Sequence, residues 1–165
     1  MRKGNIGVYL LAFFIVACTK MCSVSRKDLT PEQVVENYLQ IAFNMKDVSQ
    51  RALLLEYTTD ELKVAISGAT EGSLQAAYIK PRYNLKSWSF IDRVDRTPRA
   101  VELSYRVEYD ELPESGKISE QVSVETKNTV LLIKKDHKWF IKDVIGSNTA
   151  IEFPILKQSK IKVSQ

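Results

Sequence analysis

The stretch Val101-Glu102-Leu103-Ser104-Tyr105-Arg106-Val107-Glu108-Tyr109 alternates apolar and polar residues without a break. Successive side chains of an extended chain point to opposite faces, so a period of two predicts a strand with one face buried and the other in water. Upstream, Trp88, Phe90 and Val94 share one side of a second extended segment, with Ser87, Ser89 and Arg93 on the other; Arg96-Thr97-Pro98-Arg99 joins the two as a turn. Downstream, Pro113-Glu114-Ser115-Gly116 reads as a turn, and Ile118, Val122 and Val124 begin a third strand that continues into Val130–Ile133. The run Val130-Leu131-Leu132-Ile133 breaks the alternation, which points to a bulge or to cover on both faces. Lys135-Asp136-His137-Lys138 is a hairpin loop, and the chain returns as Trp139 to Ile145, ending at Gly146. These segments predict an antiparallel meander of four strands.

Ahead of Pro81 the period is helical. In Thr30-Pro31-Glu32-Gln33, threonine can cap, proline suits the first helical position and glutamine can close a capping box. Val34, Val35, Tyr38, Leu39, Ala42 and Met45 follow at helical spacing, so one stripe of this helix is expected to be buried. Asp47-Val48-Ser49-Gln50 starts a second helix through Ala52, Leu53, Leu54 and Leu55. Thr58-Thr59-Asp60-Glu61 starts a third, through Leu62, Val64, Ala65 and Ile66, which Gly68 can end in the left-handed conformation. Ser73–Lys80 allows one or two further turns before Pro81.

The first eighteen residues have a different character. Arg2 and Lys3 precede an apolar run from Ile6 to Ala17, too short for the roughly 20 residues a membrane-spanning helix needs. Ile15-Val16-Ala17-Cys18 resembles the lipobox of bacterial lipoproteins. That resemblance implies cleavage between Ala17 and Cys18, a lipid on Cys18 and membrane attachment in the bacterial cell envelope; with Thr19 rather than aspartate next, it implies the outer membrane facing the periplasm in a Gram-negative host. The organisation expected is a signal peptide over 1–17, lipidated cysteine and flexible tether over 18–29, one domain over 30–146 and a C-terminal extension over 147–165. In that extension Lys157, Lys160 and Lys162 stand without an acid; a solvated tail is favoured over contact with an anionic surface.

The chain carries 24 basic and 20 acidic residues, but Arg2 and Lys3 leave with the signal, giving 22 against 20. A near-neutral domain without a concentrated basic face argues against a nucleic-acid partner. Cys18 and Cys22 are the two cysteines, so with Cys18 lipidated no internal disulfide and no cysteine zinc site is expected. One histidine, no calcium-type acidic loop, no phosphate-binding glycine loop and no nucleophile elbow leave no metal, no cofactor and no hydrolase triad to propose.

Helices followed by a curved antiparallel sheet resemble the superfamily of nuclear-transport-factor-2-like, or cystatin-like, domains. The opening Thr30–Val35 helix, the strand through Tyr105 and Tyr109, and the hairpin Lys134–Val144 with its Trp139-Phe140-Ile141-Lys142-Asp143 run carry the resemblance over about residues 30–146. It implies an α+β fold with N-terminal helices packed on a curved four-stranded antiparallel sheet, and a conical pocket between them. Members include isomerases, dehydratases, ligand carriers and secretion-system components, so fold does not fix function.

Within such a cone the candidate pocket residues are Tyr38, Trp88, Asp92 and Tyr105, with Tyr57 and Tyr109 beside them. Asp92 shares strand parity with Trp88 and Phe90 and would point inward, and Asp143 does the same with Trp139 and Ile141; a pocket carboxylate aided by tyrosine would suit an isomerase or dehydratase. Against this, charged side chains are seldom buried unless paired, and His137 falls in a hairpin loop. The favoured expectation is therefore a non-enzymatic binding or assembly role, with no catalytic residue assigned. The occupant is a protein partner, slightly preferred, or a small apolar ligand, and a deep open pocket would reverse that preference. Oligomeric state is not legible.

Overall fold

The inner pair of strands, β2 (Ala100–Leu112) and β3 (Val122–Lys135), run antiparallel and pair residue for residue from Ala100 opposite Ile133 to Glu111 opposite Val122. The outer pair do not. β1 (Arg82–Thr97) carries an extra residue against β2 at Lys86, Ile91 and Arg96, and β4 (Lys138–Glu152) carries one against β3 at Lys142 and Ile145. Each such bulge bends its strand and increases the local twist. The sheet, ordered β1-β2-β3-β4, thereby acquires a concave face. This computed structural model describes residues 29–112 and 121–152. Ala17, Cys18, Cys22, the turn at Pro113–Gly116, Ile118 and residues 153–165 lie outside the described residues.

Helix α1 (Pro31–Phe43) forms where the capping box predicts. The Thr30 hydroxyl accepts from the Gln33 backbone N–H, and the Gln33 side chain accepts from the Thr30 N–H. Its apolar stripe fills the hollow. Val34, Val35 and Leu39 pack on Val101, Leu103, Tyr105, Val107, Val130, Leu132 and Ile141, all at most 5% exposed. Each fully buried aliphatic side chain contributes about 1.5–3 kcal/mol relative to exposure.

A 3₁₀ turn (Val48–Gln50) capped by Asp47 leads into α2 (Arg51–Glu56), and α3 (Asp60–Gly68) follows. Leu54 and Ile66 join Ala42 and Met45 in a second cluster beside α1. The left-handed ending expected at Gly68 does not occur: Gly68 lies within α3, whose C-cap is Ala69 with extended backbone. α4 (Glu71–Leu74) continues directly as a wider π-helical turn over Gln75–Ile79. Among the described residues no helix is long and apolar enough to cross a membrane.

The fold class is the one expected: α+β, with N-terminal helices on a curved four-stranded antiparallel sheet. Two details differ. β4 does not end at Gly146 but runs on to Glu152, still paired with β3 as far as Ser123. The irregularity expected at Val130–Ile133 is there, but the surplus residues belong to β4. Val130 and Leu132 face the core while Leu131 and Ile133 are half-buried on the other side. Asp136 and His137, with φ of 49° and 64°, form the tight hairpin loop, where two left-handed residues match the twist of the flanking strands.

Burial ranks the core for test. Leu103→Ala, at a fully buried site, is expected to lower unfolding free energy in urea by about 2–5 kcal/mol. Val64→Ala, 70% exposed, is expected to change it by less than about 0.5 kcal/mol.

Candidate functional site

Because α1 fills most of the hollow, the open space lies at its C-terminal end. There Leu39, Ala42 and Phe43 of α1, Ala77 and Tyr78 of the π-helical turn, Tyr83 of β1, Val107 and Tyr109 of β2, and Thr126 and Asn128 of β3 enclose a pocket of about 200 Å³. Its rim is an aromatic cluster: Phe43, Tyr83 and Tyr109 meet pairwise with ring centroids 5.1–5.7 Å apart in tilted or edge-on arrangements. Such contacts are worth about 0.5–1.5 kcal/mol per pair beyond burial and hold the rim rigid.

The polar atoms facing this space are phenols, a hydroxyl and an amide. The Asn128 amide donates to the Thr126 hydroxyl at 3.3 Å. Tyr78 joins the pocket to the core behind it, its hydroxyl 3.4 Å from that of Tyr38. Burial pushes the Tyr38 phenol well above its ordinary range, with the neighbouring Tyr78 adding to the effect. Burial and then Tyr78 push Tyr105 up to about 12. Burial, followed by the nearby Glu111, raises Tyr83 and Tyr109. These four groups are hydrogen-bonding phenols at neutral pH. Among the described residues, no carboxylate or histidine lines the pocket.

Of the residues proposed from sequence, Tyr38, Trp88 and Tyr105 do come together, as members of the core packed around α1 rather than as pocket walls. Trp88 stacks edge-on against Phe90 at 5.1 Å. Asp92 does not join them. The extra residue Ile91 shifts the strand by one, so Asp92 registers with Ser104 on the convex face and is exposed, its Oδ1 accepting from the Arg93 N–H at 2.8 Å. Asp143 is displaced the same way. Lys142 is the extra residue, Asp143 registers with Leu131 on the convex face, and its Oδ1 accepts from the Val144 N–H at 2.8 Å. Tyr109 is at the pocket, and Tyr57 pairs through its backbone with Ile141, remote from it.

Two larger concavities lie elsewhere. One, of about 500 Å³, sits at the hairpin tips among Arg99, Lys134, Lys135, Asp136 and His137. Here Lys135 is already engaged with Asp60 at 2.7 Å, and Lys134 lies over the Trp139 ring at 5.5 Å. The other, of about 490 Å³, is on the convex face beside Glu108 and Glu125. At its edge lies Asp110, only 3% exposed, which pairs with Lys86 and accepts from Gln121 and from Ser123. Burial works to raise the pKa of this carboxyl, but the Lys86 and Ser123 hydrogen bonds outweigh it and hold it below the usual value. It is a satisfied structural ion pair. Among the described residues, no three histidine, cysteine, aspartate or glutamate side chains gather to hold a metal ion.

No protein-family model matches this chain, and no curated protein matches it in sequence. Among solved structures it is similar to one described as the structure of the Agrobacterium tumefaciens VirB8 protein. The two share 15% identity with a TM-score of 0.40, over 75% of this chain and 95% of that one.

The buried phenols make stability sensitive to alkali. Tyr105 keeps its proton to about pH 12 when folded, while in the unfolded chain it ionises near the ordinary value of 10.0. Between those values the unfolded state binds fewer protons, so its contribution is complete below pH 10 and lost as pH rises toward 12. Urea unfolding is expected to show stability falling across this window. Tyr105→Phe should remove a slope of up to about 1.4 kcal/mol per pH unit.

Proposed function

We propose that this chain is a lipid-anchored protein of the bacterial cell envelope with a non-enzymatic binding role, and that it holds a small, mainly apolar ligand in the aromatic pocket at the open end of the cone. The observation that carries this is the composition of the pocket: apolar walls and neutral hydrogen-bonding groups converge on one space, with no acid or base among the described residues that line it. A cavity of about 150 Å³ accommodates a benzene-sized ring, so a pocket of about 200 Å³ suits a single-ring compound bearing an oxygen that the tyrosines and Asn128 can bond.

Anchoring would come from the lipid on Cys18, and the geometry of the domain is compatible with it. The tether reaches the domain at Thr30, at the end of α1 where Glu32 pairs with Arg93 at 2.7 Å. The pocket lies at the opposite end of that helix, about 20 Å away for 13 residues. A domain hung from its Thr30 end would direct its pocket away from the membrane, toward ligand in the surrounding space. In a Gram-negative host that space would be the periplasm.

A protein partner on the convex face is the less supported occupant. That face presents charges already paired with one another, Arg106 with Glu125 at 3.4 Å and Arg96 with Glu102 at 2.7 Å, which a partner would have to separate or match. The isomerase alternative loses its base with Asp92 turned outward.

Two measurements test this proposal. A panel of single-ring alcohols, ketones and phenols is screened by thermal shift, where a ligand at a hundred times its Kd stabilises by about 2.7 kcal/mol. Ala77→Trp, an exposed position at the pocket wall, is expected to abolish that shift while leaving the unliganded melting temperature nearly unchanged. Absence of any binder, or unaltered binding by the variant, would refute the pocket assignment. Separately, Cys18→Ala is expected to eliminate lipid labelling and release the protein from membranes; retention in the membrane would refute the anchor.

A further inference from the structure

The two outer strands of the sheet are protected very differently. β1 has six charged residues, Arg82, Lys86, Asp92, Arg93, Asp95 and Arg96, and three bulges, the devices by which edge strands avoid pairing with other chains. β4 is covered near its start, where the backbone N–H of Thr59 donates to the Ile141 carbonyl and the Ile141 N–H donates to the Tyr57 carbonyl, each at 2.9 Å. From Val144 to Ile151 nothing among the described residues pairs with its outer edge. Those eight residues include no charge and no proline, and Val144, Ile145 and Ile151 are 43%, 48% and 53% exposed.

The order of residues along this edge is chemically palindromic. Ile145-Gly146-Ser147-Asn148-Thr149-Ala150-Ile151 reads, from its centre outward, as an amide, then two hydroxyls, then two small residues, then two isoleucines. We propose that a second copy of this chain adds to the β4 edge, antiparallel and two-fold symmetric about Asn148, joining two sheets into one of eight strands. A two-fold interface uses the same patch twice and so must be complementary to itself. Centring on Asn148 sets Gly146 opposite Ala150, Ser147 opposite Thr149 and Asn148 opposite its own copy, and brings Ile151 to the end of the regular stretch beside Ile145, the surplus residue at which β4 bends.

Neighbouring registers do not match. Centring on Thr149 sets Ile151 against Ser147, and centring on Ser147 sets Ile151 against Asp143. A shift between residues sets the concave face of one sheet against the convex face of the other. In the chosen register faces agree, because Ser147 and Thr149 both register with concave-face residues of β3, Asn128 and Thr126. One strand pair is small beside the ~1,200 Å² of a stable interface, so association is expected in the micromolar range, favoured where copies share a membrane.

The test uses the full-length chain carrying Cys22→Ser. Directly opposed antiparallel residues have Cα atoms about 4.5–5.5 Å apart, within disulfide reach. Asn148→Cys is therefore expected to give a disulfide-linked dimer in membranes under mild oxidation, and Asn84→Cys on β1 is not. In detergent, sedimentation velocity at high micromolar concentration is expected to show a monomer–dimer equilibrium. Asn148→Lys and Asn148→Asp should each weaken it by about two- to fivefold through like charges placed directly opposite, and mixing the two should restore a heterodimer. The exposed position leaves folding intact, which circular dichroism checks. A wild-type monomer at that concentration, a dimer indifferent to both charges, or Asn148→Cys cross-linking no better than Asn84→Cys overturns the proposal. Dimerisation only after removal of residues 153–165 also overturns it, by making the chain's own tail the occupant.

Discussion

The shape of this domain depends on a mismatch in contour length between its inner and outer strands. β2 and β3 pair one for one, whereas β1 and β4 each take up more residues than the neighbour they pair with. A surplus residue cannot join the ladder, so the strand bends at each one, and here both borders of the sheet must curve about the inner pair. The hollow this leaves is filled along most of its length by Val34, Val35 and Leu39 of α1. Without the surplus residues a flat sheet would offer α1 a single line of contact. With them, the helix touches β1, β2 and β4 together.

The same residues explain what the sequence could and could not disclose. The Thr30 capping box, the strand Val101–Tyr109 and the Asp136-His137 loop were legible because each signal is local: a hydroxyl three residues from a glutamine, a strict period of two, a pair tolerant of positive φ. Strand parity is local only while the strand is regular. Counting in twos from Trp88 through Phe90 reaches Asp92, and counting from Trp139 through Ile141 reaches Asp143, but a surplus residue intervenes each time and reverses the face. In both places the aspartate directly after the surplus residue accepts a hydrogen bond from the next backbone N–H. What reads as an inward acid is part of the local geometry that bends the strand.

The pocket is not legible in the sequence for a related reason. Tyr38, Trp88 and Tyr105 stand on the apolar faces of their elements, and those faces are where α1 and the sheet close together. Space survives only where the helix ends, and no period in the sequence marks that point. Tyr78 and Ala77 enter from a π-helical turn that carries no composition signal, and Asn128 stands among Thr126, Lys127 and Thr129 in the polar middle of β3, where nothing distinguishes it. The chemistry follows from this placement. The mouth of a filled cone collects aromatic side chains that are half core and half rim, and tyrosine is the residue whose ring satisfies the first role and whose hydroxyl satisfies the second.

Bending also divides the labour between the borders. β1 bears three surplus residues and a row of charges, and Arg93 ties it to α1 through Glu32, so its outer edge is turned and solvated along its length. β4 spends both of its surplus residues before Gly146, and the Tyr57–Thr59 crossing covers it only around Ile141. Beyond Ile145 it regains one-for-one pairing with β3 and continues straight and uncharged to Ile151. Bulges and charge are the means by which a sheet refuses further strands, and an edge with neither over the six residues Gly146–Ile151 keeps its backbone groups directed at whatever lies beside it. Curvature at one end of β4 and regularity at the other thus place a closed core and an open edge on a single strand.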